Sequence, residues 1–182
     1  MKQLTSKLSL VVLASCIGVS PAAFCADGRI TFTGNVTAQT CKINGNGSGS
    51  NDFTVTLPTV SSSALASTGQ TAGRTPFSIA LSDCTPKSGN VHSYFEPGST
   101  VNTATGNLVL NSGGASNVEI GVLNNDLTAI KIGAADASQN SQSVGIDGSG
   151  SATLPFYAQY VATGTATAGA ASSSVMYTLV YQ

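Results

Sequence analysis

Apolar side chains recur at every second position in short runs along this chain, and each run is bounded by Gly, Ser, Asn, Asp or Pro. A two-residue period puts one set of side chains on each face of an extended backbone, so the pattern predicts strands. Ile30, Phe32, Gly34 and Val36 alternate with Arg29, Thr31, Thr33 and Asn35. Phe53-Thr54-Val55-Thr56-Leu57 alternates and stops at Pro58; Phe77, Ile79 and Leu81 alternate with Ser78 and Ala80. Further short strands are predicted at Val91–Glu96, Leu108–Leu110, Val118–Val122, Ile130–Ile132 and around Leu154, Phe156, Ala158 and Tyr160. Pro155 lies on the opposite face of that last run, near its start, where a missing donor is tolerable. In the final run, Val175, Tyr177, Leu179 and Tyr181 share a face, with Met176, Thr178 and Val180 on the other. The one weak helical candidate is Ser61–Ser67. Lys42–Asp52, Ser138–Ser151 and Gly164–Ser174 read as exposed loops of small and polar residues. About seven to ten short strands with frequent turn signals predict an all-β, two-sheet sandwich of immunoglobulin-like type, with a closed barrel as the other candidate.

The first 25 residues break the pattern. Lys2 and Lys7 precede an apolar run from Leu8 to Gly18 and then Ser20-Pro21-Ala22-Ala23, the layout of a secretory signal. The run is too short to span a bilayer as an anchor. Cleavage is expected after Cys25, with Ala23 and Cys25 as the small residues before the cut and Ala26 as the new N-terminus. A competing reading places a lipoprotein cut at Leu13-Ala14-Ser15-Cys16, although the apolar run before it is short and a lipid there would tether the N-terminus. Residues 1–25 are thus read as signal, 26–37 as an N-terminal extension and 38–182 as the domain.

Cleavage after Cys25 leaves Cys41 and Cys84 as the only cysteines, and in an exported chain such a pair is expected to form a disulfide. The alternatives lack ligands: two Cys and the single His92 cannot complete a zinc site alone, and neither Cys-x-x-Cys nor His-Glu-x-x-His occurs. No metal or cofactor is expected. Charged residues make up only 8% of the chain and its formal net charge is −1, which gives no sign of a nucleic-acid partner. His92 shares a face with Tyr94 and Glu96, read as the solvent side, and no carboxylate pair or Gly-x-Ser-x-Gly elbow is present. An enzyme is not expected. Asn35-Val36-Thr37 and Asn46-Gly47-Ser48 match the glycosylation sequon, read as chance in so Asn/Ser/Thr-rich a chain.

Two runs have no obvious partner. Residues 175–181 are read as the last strand, whose far edge nothing following can pair, and such an edge invites another chain. Residues 29–36 form a second orphan strand directly after the expected cleavage site, and its Gly34 suits close approach of another backbone.

These features together resemble the pilin subunits of chaperone-usher fimbriae, in particular the major-subunit family of type 1 fimbriae. The resemblance rests on Gly28–Val36 leading to Cys41, on Phe77–Cys84, on Leu154–Tyr160 followed by Ala162-Thr163-Gly164, and on a C-terminal signature of penultimate Tyr181 with Gly169 fourteenth from the end. It implies an incomplete immunoglobulin-like sandwich lacking its last strand, completed by a donor strand from a neighbouring subunit. By position it implies that Ile30, Phe32, Gly34 and Val36 form the donor face. Gly169, Val175, Tyr177, Leu179 and Tyr181 then belong to the acceptor groove and to the strand that a chaperone pairs with. The implied partners are a periplasmic pilus chaperone, an outer-membrane usher, and other pilins including copies of this chain, with no membrane anchor in the mature form. The implied destination is a fimbrium on the cell surface, reached through the periplasm, and the implied role is that of a structural subunit polymerising head to tail into an adhesive fibre. A minor or adaptor subunit, or a soluble secreted carbohydrate-binding sandwich, is the alternative.

Overall fold

The computed structural model describes residues 28–182, so the expected signal sequence and its cleavage site lie outside the described residues. The chain divides into two units, residues 1–35 and 36–182. Of the first, Gly28–Asn35 joins no ladder. Ile30 and Phe32 are 80% and 88% exposed, and Val36, at the start of the second unit, is fully exposed.

The second unit contains nine strands: β1 (Thr40–Gly45), β2 (Thr71–Thr85), β3 (Asn90–Phe95), β4 (Val101–Asn102), β5 (Asn107–Val109), β6 (Val118–Asn124), β7 (Val144–Gly145), β8 (Ala152–Ala162) and β9 (Tyr177–Tyr181). They form a six-stranded sheet in the order β1-β2-β8-β6-β5-β4 and a three-stranded sheet in the order β7-β3-β9. Every ladder is antiparallel. Because side chains alternate across each strand, one face of each sheet supplies the core: Ile79, Ile120, Val122, Leu154 and Phe156 from the larger sheet, Val91 and Phe95 from the smaller. A barrel is excluded, because the larger sheet ends in β1 and β4 and the smaller in β7 and β9.

Two prolines sit in the long central strands without breaking them. Pro155 of β8 lies one residue past the end of the ladder with β6, and Pro76 of β2 lies past the end of the ladder with β1. Each therefore has an unpaired flank, where a missing N–H costs little. Cys41 and Cys84 form a disulfide that ties β1 to the end of β2.

Several predicted elements take another form: the expected loop from Lys42 to Asp52 begins only after Gly45, because Lys42–Gly45 pair with β2 as part of β1. Ser61–Ser67 shrinks to a single 3-10 turn at Ser62–Leu65, with the Ser61 hydroxyl accepting from the Ser63 N–H. Ile130 and Ile132 are buried but belong to no strand; their alternation reflects an irregular segment whose isoleucines enter the core. Residues 138–151 are not a simple exposed loop. They contain β7, the buried Ile146, and the end of the short helix α1 (Asp136–Gln139).

The reading of His92 as solvent-facing is overturned as well. Its side chain is buried and its Nε2 lies 2.8 Å from Asp136 Oδ1, because the turn carrying α1 folds back against β3. From the same turn, Gln139 enters the protein with no exposed surface. The Phe95 N–H donates to Gln139 Oε1 at 2.7 Å, and Gln139 Nε2 donates to the Phe95 carbonyl at 2.9 Å. One side-chain amide thus replaces a peptide unit and extends the edge of β3 where the two-residue β7 stops. On the outer face of β6, Glu119 is buried in a comparable way, accepting from Asn102 Nδ2 (2.6 Å), Thr105 Oγ1 (2.8 Å) and Asn107 Nδ2 (3.1 Å) of the β4–β5 hairpin.

The Gln139 clasp is testable. Gln139→Met keeps the side chain's length but removes both hydrogen bonds, leaving the Phe95 N–H and C=O buried without partners. It is expected to cost about 2–4 kcal/mol in urea unfolding with the disulfide intact.

Candidate functional site: an open groove along the last strand

β9 is hydrogen-bonded to β3 on one side and to no strand on the other. Asn90 and Gln182 exchange both backbone bonds, at 2.9 and 2.8 Å, and the Glu96 N–H donates to the Met176 carbonyl. Since bonded and non-bonded pairs alternate in an antiparallel ladder, residues 176, 178, 180 and 182 turn their backbone groups toward β3. Those of Val175, Tyr177, Leu179 and Tyr181 turn toward the open edge, where none of them has a partner among the described residues. The same four side chains face the interior and line a groove of about 620 Å³. A single two-residue period therefore sets both properties: the residues whose side chains point into the groove are those whose backbone is unpaired beside it.

The facing wall is Phe53–Leu57. Its side chains alternate between half-buried and exposed, as the sequence pattern predicts, but the expected strand does not form and the segment joins no ladder. From Phe53 to Val60 no backbone group makes a hydrogen bond within the described residues. Phe53, Val55 and Leu57 are half-buried and line the groove; Thr54, which also borders it, and Thr56 are exposed. The floor includes Phe77, Ile79, Ile120 and Val122 of the larger sheet and Phe95 of the smaller. The open edge of β9 and the unpaired segment 53–57 thus flank an apolar trough, the environment in which a further strand would be satisfied on both edges. The sequence pattern identified one wall as a site and the other only as a strand, since alternation alone does not distinguish a strand inside a ladder from one at a gap.

Of the five residues expected in the acceptor region, the structure brings Val175, Tyr177, Leu179 and Tyr181 together in the groove but not Gly169. Gly169 lies beside a second cavity of about 340 Å³, with Thr59, Val60, Leu65 and Tyr160 among its lining. A Cβ at Gly169 would stand 2.5 Å from the Ala115 nitrogen and 2.8 Å from the Gly114 carbonyl carbon. Only glycine fits there, because residues 169–170 run against the backbone of 114–115, with the Ala115 N–H donating to the Ala170 carbonyl at 2.8 Å. The two cavities share the same two walls. Residues 53–57 and 173–181 border the larger, and Thr59, Val60 and residues 167–171 border the smaller.

The FimA family model, described as "Type-1 fimbrial protein, A", matches residues 57–182. The chain belongs to this family. Its members are structural fimbrial subunits carried to the cell surface, and they polymerise by donor-strand exchange. The "Major fimbrial subunit SMF-1" of Stenotrophomonas maltophilia is 50% identical over 165 residues, which cover 88% of this chain and 95% of that protein. The "F17 fimbrial protein" of Escherichia coli is 45% identical over 182 residues, covering 97% and 99% of the two. Among solved structures, a chaperone-usher pilus subunit shares the fold with a TM-score of 0.57 at 22% identity, over 86% of this chain and 96% of that one. The incomplete immunoglobulin-like sandwich expected from the sequence is the fold of this family.

Electrostatically the groove is quiet. Among the described residues, no cluster of three His, Cys, Asp or Glu side chains is placed to hold a metal ion. Burial pushes the Tyr177, Tyr181 and Tyr160 phenols above their ordinary value near 10, and at Tyr177 the nearby Asp52 charge adds to the shift. A phenol whose pKa is raised on folding contributes stability that is whole below its unfolded value and is lost as pH rises through the folded value. The melting temperature is accordingly expected to be flat from about pH 7 to 9 and to fall above about pH 10. Tyr177→Phe combined with Tyr181→Phe should reduce that alkaline slope; a slope unchanged by the pair would place its origin elsewhere.

Proposed function

We propose that this chain builds a fimbrial shaft by lending residues 29–36 to the groove of the next subunit, with Ile30, Phe32, Gly34 and Val36 facing inward. The observation that carries this reading is the gap itself, the open edge of β9 and the unpaired segment 53–57 either side of an apolar trough. The extension has the complementary property: large apolar side chains on one face, exposed, and a backbone in no ladder. Full burial of Ile30, Phe32 and Val36 contributes on the order of 1.5–3 kcal/mol each. Backbone bonds to Val175, Tyr177, Leu179 and Tyr181 add to this, so the joint dissociates slowly. Donor and acceptor are different surfaces of one chain, so the contact is heterologous and its product is an open filament.

Before assembly the same edge needs a surrogate strand. A periplasmic chaperone supplies it, and an outer-membrane usher exchanges it for the next subunit's extension; the family's mode of assembly supports both partners. Residues 1–25 direct export, cleavage after Cys25 frees the extension at Ala26, and residues 38–182 form the acceptor domain. The role is structural and not catalytic. The likeness to a relative named as a major subunit favours a place in the shaft.

A mixing experiment tests the assignment. A chain carrying Ile30→Arg and Phe32→Arg keeps a groove but no donor, and one carrying Leu179→Arg keeps a donor but no groove. Each alone is expected to stay monomeric, and the two together to form a one-to-one dimer by light scattering. Fibres from either variant alone, or no dimer from two folded variants, would overturn the reading.

A further inference from the structure

At one point the empty groove is bridged. The Tyr177 hydroxyl reaches from β9 to donate to the Asn51 carbonyl at 2.9 Å. The Phe53 ring meets the Tyr177 ring edge-on, with centroids 6.1 Å apart. Val175, Leu179 and Tyr181 make no such side-chain hydrogen bond to the opposite wall among the described residues. Phe53 is seated on Gly45, where a Cβ would run into its ring, so its position is set by backbone geometry at the end of β1. The loop between them is closed on itself by bonds from the Gly45 N–H to the Ser50 carbonyl (2.8 Å) and from the Gly49 N–H to Asn44 Oδ1 (2.8 Å). Beyond it, residues 53–60 have no backbone bond to hold them. A preformed loop joined to an untethered wall, and fastened across the groove by one hydroxyl and one ring contact, has the form of a latch.

Resting on the groove reading above, we infer that Asn51, Phe53 and Tyr177 form a latch that keeps this part of the unoccupied groove shut and that an entering strand must open. An entering strand places side chains where the two rings now meet, and a side chain as large as Phe32 cannot share that space with both. The latch therefore sets how fast a strand enters. It has little effect on how slowly the strand leaves, because in the occupied groove the donor's own side chains and backbone bonds hold the walls.

The test uses the full chain carrying Ile30→Arg and Phe32→Arg, whose own extension cannot occupy a groove. A fluorescent peptide of residues 28–38 is added, and its uptake and release are followed by anisotropy. Tyr177→Phe removes the hydroxyl and keeps the ring, and is expected to speed uptake about fivefold, the weight of one hydrogen bond in a rate. Release should change by less than about twofold, since the lost bond belongs to the empty state. Phe53→Leu, which keeps an apolar wall but removes the ring contact, is a second variant expected to act in the same direction. Uptake that is unchanged or slowed in both variants overturns the latch and leaves the groove reading standing. Failure of the peptide to enter any of the folded chains overturns the groove reading, and the latch with it.

Discussion

The unpaired edge of β9 is the constraint on which the rest of this structure depends. A strand in a sandwich is stable when its polar backbone is bonded on both sides and its apolar side chains are covered. β9 meets neither condition fully. Its bonds to β3 run the length of the strand, while the backbone groups of Val175, Tyr177, Leu179 and Tyr181 face a trough that nothing described fills. On the reading proposed here this edge is the acceptor, and covering it with a fixed strand of the same domain would remove it.

The remainder of the fold compensates for the missing strand by strengthening what surrounds it. The longest ladders, β2 with β8 and β8 with β6, lie in the opposite sheet and form a platform that does not involve the gap. β3, the sole strand holding β9, has its own far edge secured by β7 and by the Gln139 amide. The Cys41–Cys84 bridge ties β1 to β2, ahead of the loop that leads to the untethered wall. Of the polar side chains buried at these places, Gln139 pairs with Phe95, Glu119 with the β4–β5 hairpin and His92 with Asp136, while the Ser93 hydroxyl of β3 has no partner among the described residues.

Aromatic contacts connect the rim of the groove to the centre of the domain. Tyr177 meets Phe53, Phe53 meets Phe77, Phe77 meets Phe156, and Phe156 meets Phe95, with centroids 5.4–6.1 Å apart. Such pairs favour tilted and edge-on arrangements that do not slide freely. The wall segment that lacks backbone bonds is therefore placed by its side chains. Phe53 is the first residue of that wall and also the ring that joins Tyr177 at the rim to Phe77 on the groove floor, so occupancy of the groove and packing of the core are linked physically.

The two-residue alternation was enough to predict an all-β chain and to group Val175, Tyr177, Leu179 and Tyr181 on one face of β9, because side-chain direction in a strand is a local property; that this face lines a groove was implied by the family resemblance alone. The export signal expected from the sequence leaves one cysteine pair, Cys41 and Cys84, and these two form the disulfide. Alternation could not say which strands pair. Phe53–Leu57 and Phe77–Leu81 read alike, yet one stands at a gap and the other in the middle of a sheet, since pairing depends on segments far away in the chain. Nor could it place His92, whose outward face is covered by a turn more than forty residues later, or Gln139, a polar residue in a small-residue loop that occupies a backbone position in a sheet edge. Gly169 was picked out by its place in a family pattern. Its physical reason, the backbone of residues 114–115 lying against it, exists only once the chain has folded, because close approach between distant backbones is a property of tertiary structure alone.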